Sequence, residues 1–323
     1  MIERKKERTK MSDKTNDRIY DENGNTFMTE EEAASVFKGL GPTAFDPTSV
    51  KNSELDIQYG KLPEHLLDLY LPEAGSKPYP VMFYVHGGGW TMGSKTMAFL
   101  NGVIGLIEHG YAVISVDYRL APQTTFPEFL FDVKTAVRWA RANADKYGFD
   151  ASRFAMAGDS AGGHITLMMG FTADRPEYAG YEYGWQGYSD GLQAICDMYG
   201  PSILDVPLET FFRESGIPRL QRPVKGRPDA FEAAFGTTNA NLRKLISPIS
   251  HVHKDIPPVL MLQGVKDGVV PYQHSTLLHE KIKEVCGDNR SELILFEDRN
   301  HADGNFNTKA NSDTIAAFLS RFL

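Results

Sequence analysis

Gly158-Asp159-Ser160-Ala161-Gly162 directly follows the strand-like run Arg153-Phe154-Ala155-Met156-Ala157 and opens a helix of small residues. A strand that turns sharply into a helix presents the residue at the turn, here Ser160, as a nucleophile. The turn brings backbone against backbone, so a Cβ two positions before or after the serine would clash. Gly158 and Gly162 leave that space. The strand-turn-helix unit is also the building block of an α/β fold with a mostly parallel sheet.

Upstream, Val81-Met82-Phe83-Tyr84-Val85 reads as a short buried strand, and it ends in His86-Gly87-Gly88-Gly89-Trp90. Attack by a serine on a carbonyl carbon puts negative charge on the carbonyl oxygen, and backbone N–H groups hold that charge. One comes from the residue after the nucleophile, Ala161, and others from a glycine loop after an earlier strand. Gly88 and Gly89 are the expected loop donors, with Gly87 a neighbour whose part is open. His86 is expected to brace the loop through its ring nitrogens.

A nucleophilic serine needs a base and a carboxylate that orients the base, in the chain order Ser, Asp or Glu, His. Pro258-Val259-Leu260-Met261-Leu262-Gln263-Gly264 is another buried-strand run, and Asp267 lies three residues past it. Glu292-Leu293-Ile294-Leu295-Phe296 reads as the next strand, with His301 in the loop after it. All three residues thus fall at carboxyl ends of strands, where open α/β sheets place ligands. Among the nine histidines, His274 and His279 are expected on a solvated helix surface. His251 and His253 precede Asp267, and His65 and His109 lack a partner pattern. His164 lies one helical turn after Ser160 and points along the helix, which marks it as a packing residue. His301 remains as the base.

These motifs resemble the esterase and lipase superfamily of α/β-hydrolases, in particular the hormone-sensitive-lipase-like esterases and, closer still, the BD-FAE-like group of bacterial acetyl-xylan and feruloyl esterases. The residues that carry the resemblance are His86 to Trp90, Asp117 to Pro122, Gly158 to His164, Tyr199-Gly200-Pro201, Asp267 to Pro271 and His301. Trp90 and Gly162-Gly163-His164 lean toward the carbohydrate esterases, and Gly89 is shared with the lipase-like side. The resemblance implies hydrolysis of short-chain acyl esters, such as acetyl or feruloyl groups on plant-derived oligosaccharides, with neither metal nor cofactor. An arylformamidase-like amide hydrolase is the alternative, and a non-catalytic binding relative is disfavoured by the complete set of site residues.

The remaining pattern predicts strands at 66–71, 112–116 and 194–199, and a helix from Pro127 to Tyr147 with Leu130, Val133, Val137 and Ala140 toward the core and its polar residues facing away. Arg119 in Asp117-Tyr118-Arg119 is expected to pair with a carboxylate. Residues 1–45 read as a disordered or loosely attached segment, and 46–323 as one hydrolase domain. Residues 201–248, with Phe211-Phe212-Arg213 and Pro218 to Pro223, exceed what a crossover needs and read as a cap insertion. The aromatic stretch Tyr178 to Tyr188 suits either stacking on sugar rings or, more commonly, pinning a loop.

The first 18 residues carry seven Lys or Arg against four acids with almost nothing to bury. No apolar run follows them, and no run is long enough for a membrane span, so a cytoplasmic protein is expected. Cys196 and Cys286 make no disulfide framework or metal pattern. A formal net charge of −8 gives no general attraction to nucleic acid or anionic lipid. The expected partner is a small ester, with homo-oligomerisation left open.

Overall fold

The computed structural model describes residues 19–20, 26–27, 44–73, 75–219, 230–237 and 239–323. Most of the segment read as disordered, and Leu220 to Pro223 of the insertion, lie outside them. Eight strands form one sheet: β1 Ser53–Gln58, β2 Leu66–Tyr70, β3 Tyr79–Val85, β4 Ala112–Val116, β5 Phe149–Asp159, β6 Ala194–Met198, β7 Val259–Gly264 and β8 Ser291–Phe296. Their order is β8-β7-β6-β5-β3-β4-β2-β1. Strands β3 to β8 run parallel, and β2 is antiparallel to β1 and β4.

Among the described residues the α-helices are α1 Asn101–Ile104, α2 Glu128–Ala142, α3 Ala144–Tyr147, α4 Ala161–Phe171, α5 Leu208–Ser215, α6 Ala230–Phe235, α7 Ala240–Leu245, α8 Gln273–Cys286 and α9 Lys309–Leu319. Alternation along β3 sends its side chains to opposite faces. Val81, Phe83 and Val85 join a core with Val133 and Val137 of α2, Ile165 of α4 and Leu278 of α8. Met82 and Tyr84 join a second core with Val103 of α1 and Ile315 and Phe318 of α9. Covering both faces explains why the parallel strands read as continuous apolar runs. This arrangement is the α/β-hydrolase fold that the motifs implied.

Four expectations need correction. Strand β1 precedes the first strand read from the sequence; it is an edge strand, mostly exposed, with a register shift between Glu54 and Ile57, so its sequence shows no apolar alternation. Phe45, assigned to the loose segment, is buried edge-to-face on Tyr70 at 5.6 Å. The polar side of α2 does not face solvent, because Asp132, Lys134, Thr135 and Arg138 are all fully buried. Residues 172–191 wrap over that side: Lys134 Nζ donates to Asp190 at 2.9 Å and to the Thr172 carbonyl at 2.8 Å, and Arg138 donates to the Ala179 carbonyl at 2.6 Å and to Asp190 at 3.2 Å. His274, expected on a solvated surface, is fully buried. Its Nδ1 accepts the amides of Ser202 and Ile203 at 3.0 and 3.1 Å and so fixes the chain that leaves β6.

The aromatic stretch pins this wrapping segment. Trp185 Nε1 donates to the Tyr59 carbonyl at 2.7 Å, Tyr183 donates to Glu128, and Arg138 lies over the Tyr181 ring. Arg119 pairs with Asp132 and Glu128 as anticipated. His65, for which no partner was foreseen, donates from Nε2 to Asp132 at 2.9 Å.

Candidate active site

Ser160 stands between β5 and α4 with φ 52° and ψ −116°, a conformation that costs an L-residue about 1–3 kcal/mol and is held only by its surroundings. The Ser160 amide donates to the Met198 carbonyl at 2.8 Å, which ties the elbow to the end of β6. A Cβ on Gly158 would come within 2.3 Å of the Gly162 carbonyl oxygen, and one on Gly162 within 2.0 Å of that of Val85. Both glycines are therefore required by close backbone approach.

The three residues singled out by chain order meet in space. His301 Nε2 lies 3.0 Å from Ser160 Oγ, and His301 Nδ1 lies 2.8 Å from Asp267 Oδ2. Nδ1–H donates to the carboxylate, leaving Nε2 as acceptor for the serine hydroxyl. Asp267 is fully buried, and its Oδ1 accepts the Val269 and Val270 amides, both at 2.8 Å. Gln263 donates to its other oxygen at 3.1 Å. These donors hold a buried charge and aim it at the histidine.

The sequence reading missed two neighbours of His301. The Asn300 side-chain oxygen accepts the amides of His301 and Gly268, and the Tyr199 ring packs edge-on against the imidazole at 4.9 Å. Tyr199 has φ 47°. The Tyr199-Gly200-Pro201 motif was noted without its contact to the base.

The glycine loop follows β3, whose last residue, Val85, pairs with Gly158 of the elbow strand. Gly88 and Gly89 have φ 106° and 60°, which glycine adopts without strain. Among the described residues, the amides of Gly88, Gly89 and Ala161 donate to no protein acceptor. The Gly87 amide is already used, donating to Asp159 Oδ1 at 3.0 Å. Tyr84 Oη donates to the same oxygen at 2.7 Å. Burial pushes the Asp159 carboxyl up to about 6, against the lowering effect of these donors.

His86 donates from Nδ1 to the Gly87 carbonyl at 2.8 Å and stacks on Tyr118, which is the bracing role foreseen. His164 is buried and donates from Nε2 to the Ile246 carbonyl at 2.8 Å, so it packs rather than reacts. Trp90 meets Phe235 of α6 at 4.9 Å and His164 at 5.4 Å, edge-on in both cases. Ala234 of α6 accepts the Phe126 amide at 2.9 Å. Residues from the segment after β6 therefore pack directly against the glycine loop. Among the described residues, no helix is long and apolar enough to cross a membrane.

Comparisons with known proteins find relatives that are named as esterases. Esterase LipC of Mycobacterium tuberculosis is 34% identical over 245 residues, 75% of this chain and 57% of LipC, so the chain spans little more than half the length of that relative. The structure of a truncated carbohydrate esterase from gut microbiota superposes with TM-score 0.71 at 24% identity, covering 86% of this chain and 98% of that one. A bifunctional GH43-CE protein of Bacteroides eggerthii gives TM-score 0.70 at 26% identity, covering 83% of this chain and 38% of that one. The BD-FAE family model matches residues 67–282, and with the elbow, the glycine loop and the relatives in accord, the chain belongs to the BD-FAE family.

Proposed function

We propose that the protein is a serine carboxylesterase acting on short-chain acyl esters, such as acetyl or feruloyl groups on plant-derived oligosaccharides. The observation that carries this reading is the continuous relay from Ser160 through His301 to Asp267, at 3.0 and 2.8 Å, at the tip of a strained elbow. Esterase names among the relatives and carbohydrate-esterase names among the structural neighbours support ester over formamide cleavage.

His301 takes the Ser160 proton as Oγ attacks the ester carbonyl, and Asp267 stabilises the resulting imidazolium. The oxyanion is held by the amides of Ala161, Gly88 and Gly89. The imidazolium protonates the leaving alcohol, and water then cleaves the acyl-enzyme by the same steps. The described part of residues 201–248 acts as a cap over this site, a reading supported by the Phe235–Trp90 contact. We place the protein in the cytoplasm, consistent with two free cysteines.

The test is hydrolysis of p-nitrophenyl acetate, butyrate, octanoate and ferulate esters beside N-formylkynurenine, with Ser160→Ala as control. Serine-dependent turnover that peaks at acetate or ferulate is expected. Activity that survives Ser160→Ala, or a preference for the formamide, would overturn the reading.

A further inference from the structure

Asp159, the last residue of the elbow strand β5, is buried and has no part in the relay. Its Oδ1 accepts both the Gly87 amide at 3.0 Å and the Tyr84 hydroxyl at 2.7 Å. Gly87 and Tyr84 belong to the glycine loop and to β3, whereas Asp159 belongs to β5. The carboxylate therefore joins the two chain segments that must supply oxyanion donors on one side and the nucleophile on the other. Gly87 fits this arrangement and no larger residue would: a Cβ there would lie 2.3 Å from Asp159 Oδ2 and 2.8 Å from the Asp159 carbonyl oxygen.

We propose that Asp159 is the positioning residue of the oxyanion loop, its carboxylate fixing Gly87 so that the following amides of Gly88 and Gly89 are set before the reaction starts. The proposal rests on the assignment of Ser160 as nucleophile. Donors that are fixed in advance stabilise the transition state more than the ground state, so their loss lowers kcat and leaves KM nearly unchanged. Protonation weakens the carboxyl as an acceptor. The ionisable groups around it are the hydroxyls of Tyr84, Tyr118 and Tyr199 and the imidazole of His301. With its carboxyl pushed up to about 6, Asp159 weakens as an acceptor as pH falls through that value, which adds a step to the acid side of the rate profile.

The experiment compares wild type with Asp159→Asn, Asp159→Leu and Tyr84→Phe on one p-nitrophenyl ester between pH 4.5 and 8. Each protein is first titrated with a fluorophosphonate that labels active serine. Asp159→Leu, which removes the acceptor, should lose about a hundredfold in kcat with little change in KM. Asp159→Asn keeps an acceptor but cannot titrate, so it should lose about tenfold or less and lack the step that wild type shows as pH falls through about 6. Tyr84→Phe should fall between wild type and Asp159→Leu. Should Asp159→Leu fail to fold, the acid limb of Asp159→Asn still decides. An acid limb identical in wild type and Asp159→Asn, or a folded Asp159→Leu with kcat within twofold of wild type, would overturn the proposal. Failure of the wild type to take up fluorophosphonate would instead overturn the nucleophile assignment, and the two failures are thereby told apart.

Discussion

Asn300 accepts the Gly268 amide at 3.2 Å while also accepting the amide of its own neighbour, His301, at 2.7 Å. One side-chain oxygen thus spans the loop that carries the acid and the loop that carries the base. Asn300→Ala should leave the fold intact but let His301 drift relative to Asp267. Misplacement on the ångström scale costs about ten- to a hundredfold in rate, so kcat should fall by that order with a melting temperature close to wild type. Steady-state kinetics beside a thermal melt checks this; an unchanged kcat would count against the coupling.

Three buried histidines should govern acid stability. Burial lowers His274 to about 3 and His86 and His164 to about 4, whereas in the unfolded chain each titrates near 6.5. The unfolded state therefore binds protons first, and stability is full above about pH 6.5 and lost as pH falls toward 3 to 4. Asp159 acts in the opposite sense: raised to about 6, it favours the folded state at low pH and loses that contribution as pH rises through 6. Denaturant midpoints should fall steadily from pH 6.5 to pH 4, and His164→Phe should flatten the slope.

Gly162→Ala tests the close approach at the elbow. Its Cβ would meet the Val85 carbonyl oxygen at 2.0 Å, and neither backbone can yield without moving Ser160. A cost of about 3 kcal/mol is expected, together with slower fluorophosphonate labelling. Both are measurable on purified protein, and a variant as stable and as reactive as wild type would contradict the packing described.

Asp190 is the carboxylate partner of both Lys134 and Arg138, and all three side chains are buried. Asp190→Ala would strand two cations in the interior. Breaking a buried pair by removing one member costs about 3–5 kcal/mol, so urea unfolding should show a loss of that size. The exposed pair Lys281–Glu284 offers the contrast, since Glu284→Ala should change stability by less than about 0.5 kcal/mol.

Residues whose place is set by local chain geometry were readable in advance. Ser160 and Asp267 each follow an apolar run that is a buried strand, His301 follows the apolar run of the half-buried edge strand β8, and the two elbow glycines answer a steric demand written in five residues. Residues whose surroundings come from distant segments were not. The polar face of α2 looks like a solvated surface until residues 172–191 cover it with carbonyls and Asp190. His274 looks the same until the chain leaving β6 brings two amides to its ring. Asn300 and Asp159 gave no signal because their partners, backbone N–H groups and for Asp159 also the Tyr84 hydroxyl, are brought to them by the fold, which no sequence pattern displays. Strand β1 escaped because an edge strand exposed to water has no need of apolar alternation.

Ser160, Asp267, His301 and the glycine loop all follow carboxyl ends of β3, β5, β7 and β8, so the proposed chemistry falls on one rim of the sheet. Among the described residues, the opposite rim, toward which α9 returns, carries none of the groups that the proposed mechanism uses. Insertions, fused modules or immobilisation chemistry placed there should leave turnover intact, and the catalytic rim can diversify its loops for new esters while the other rim adapts to new molecular company.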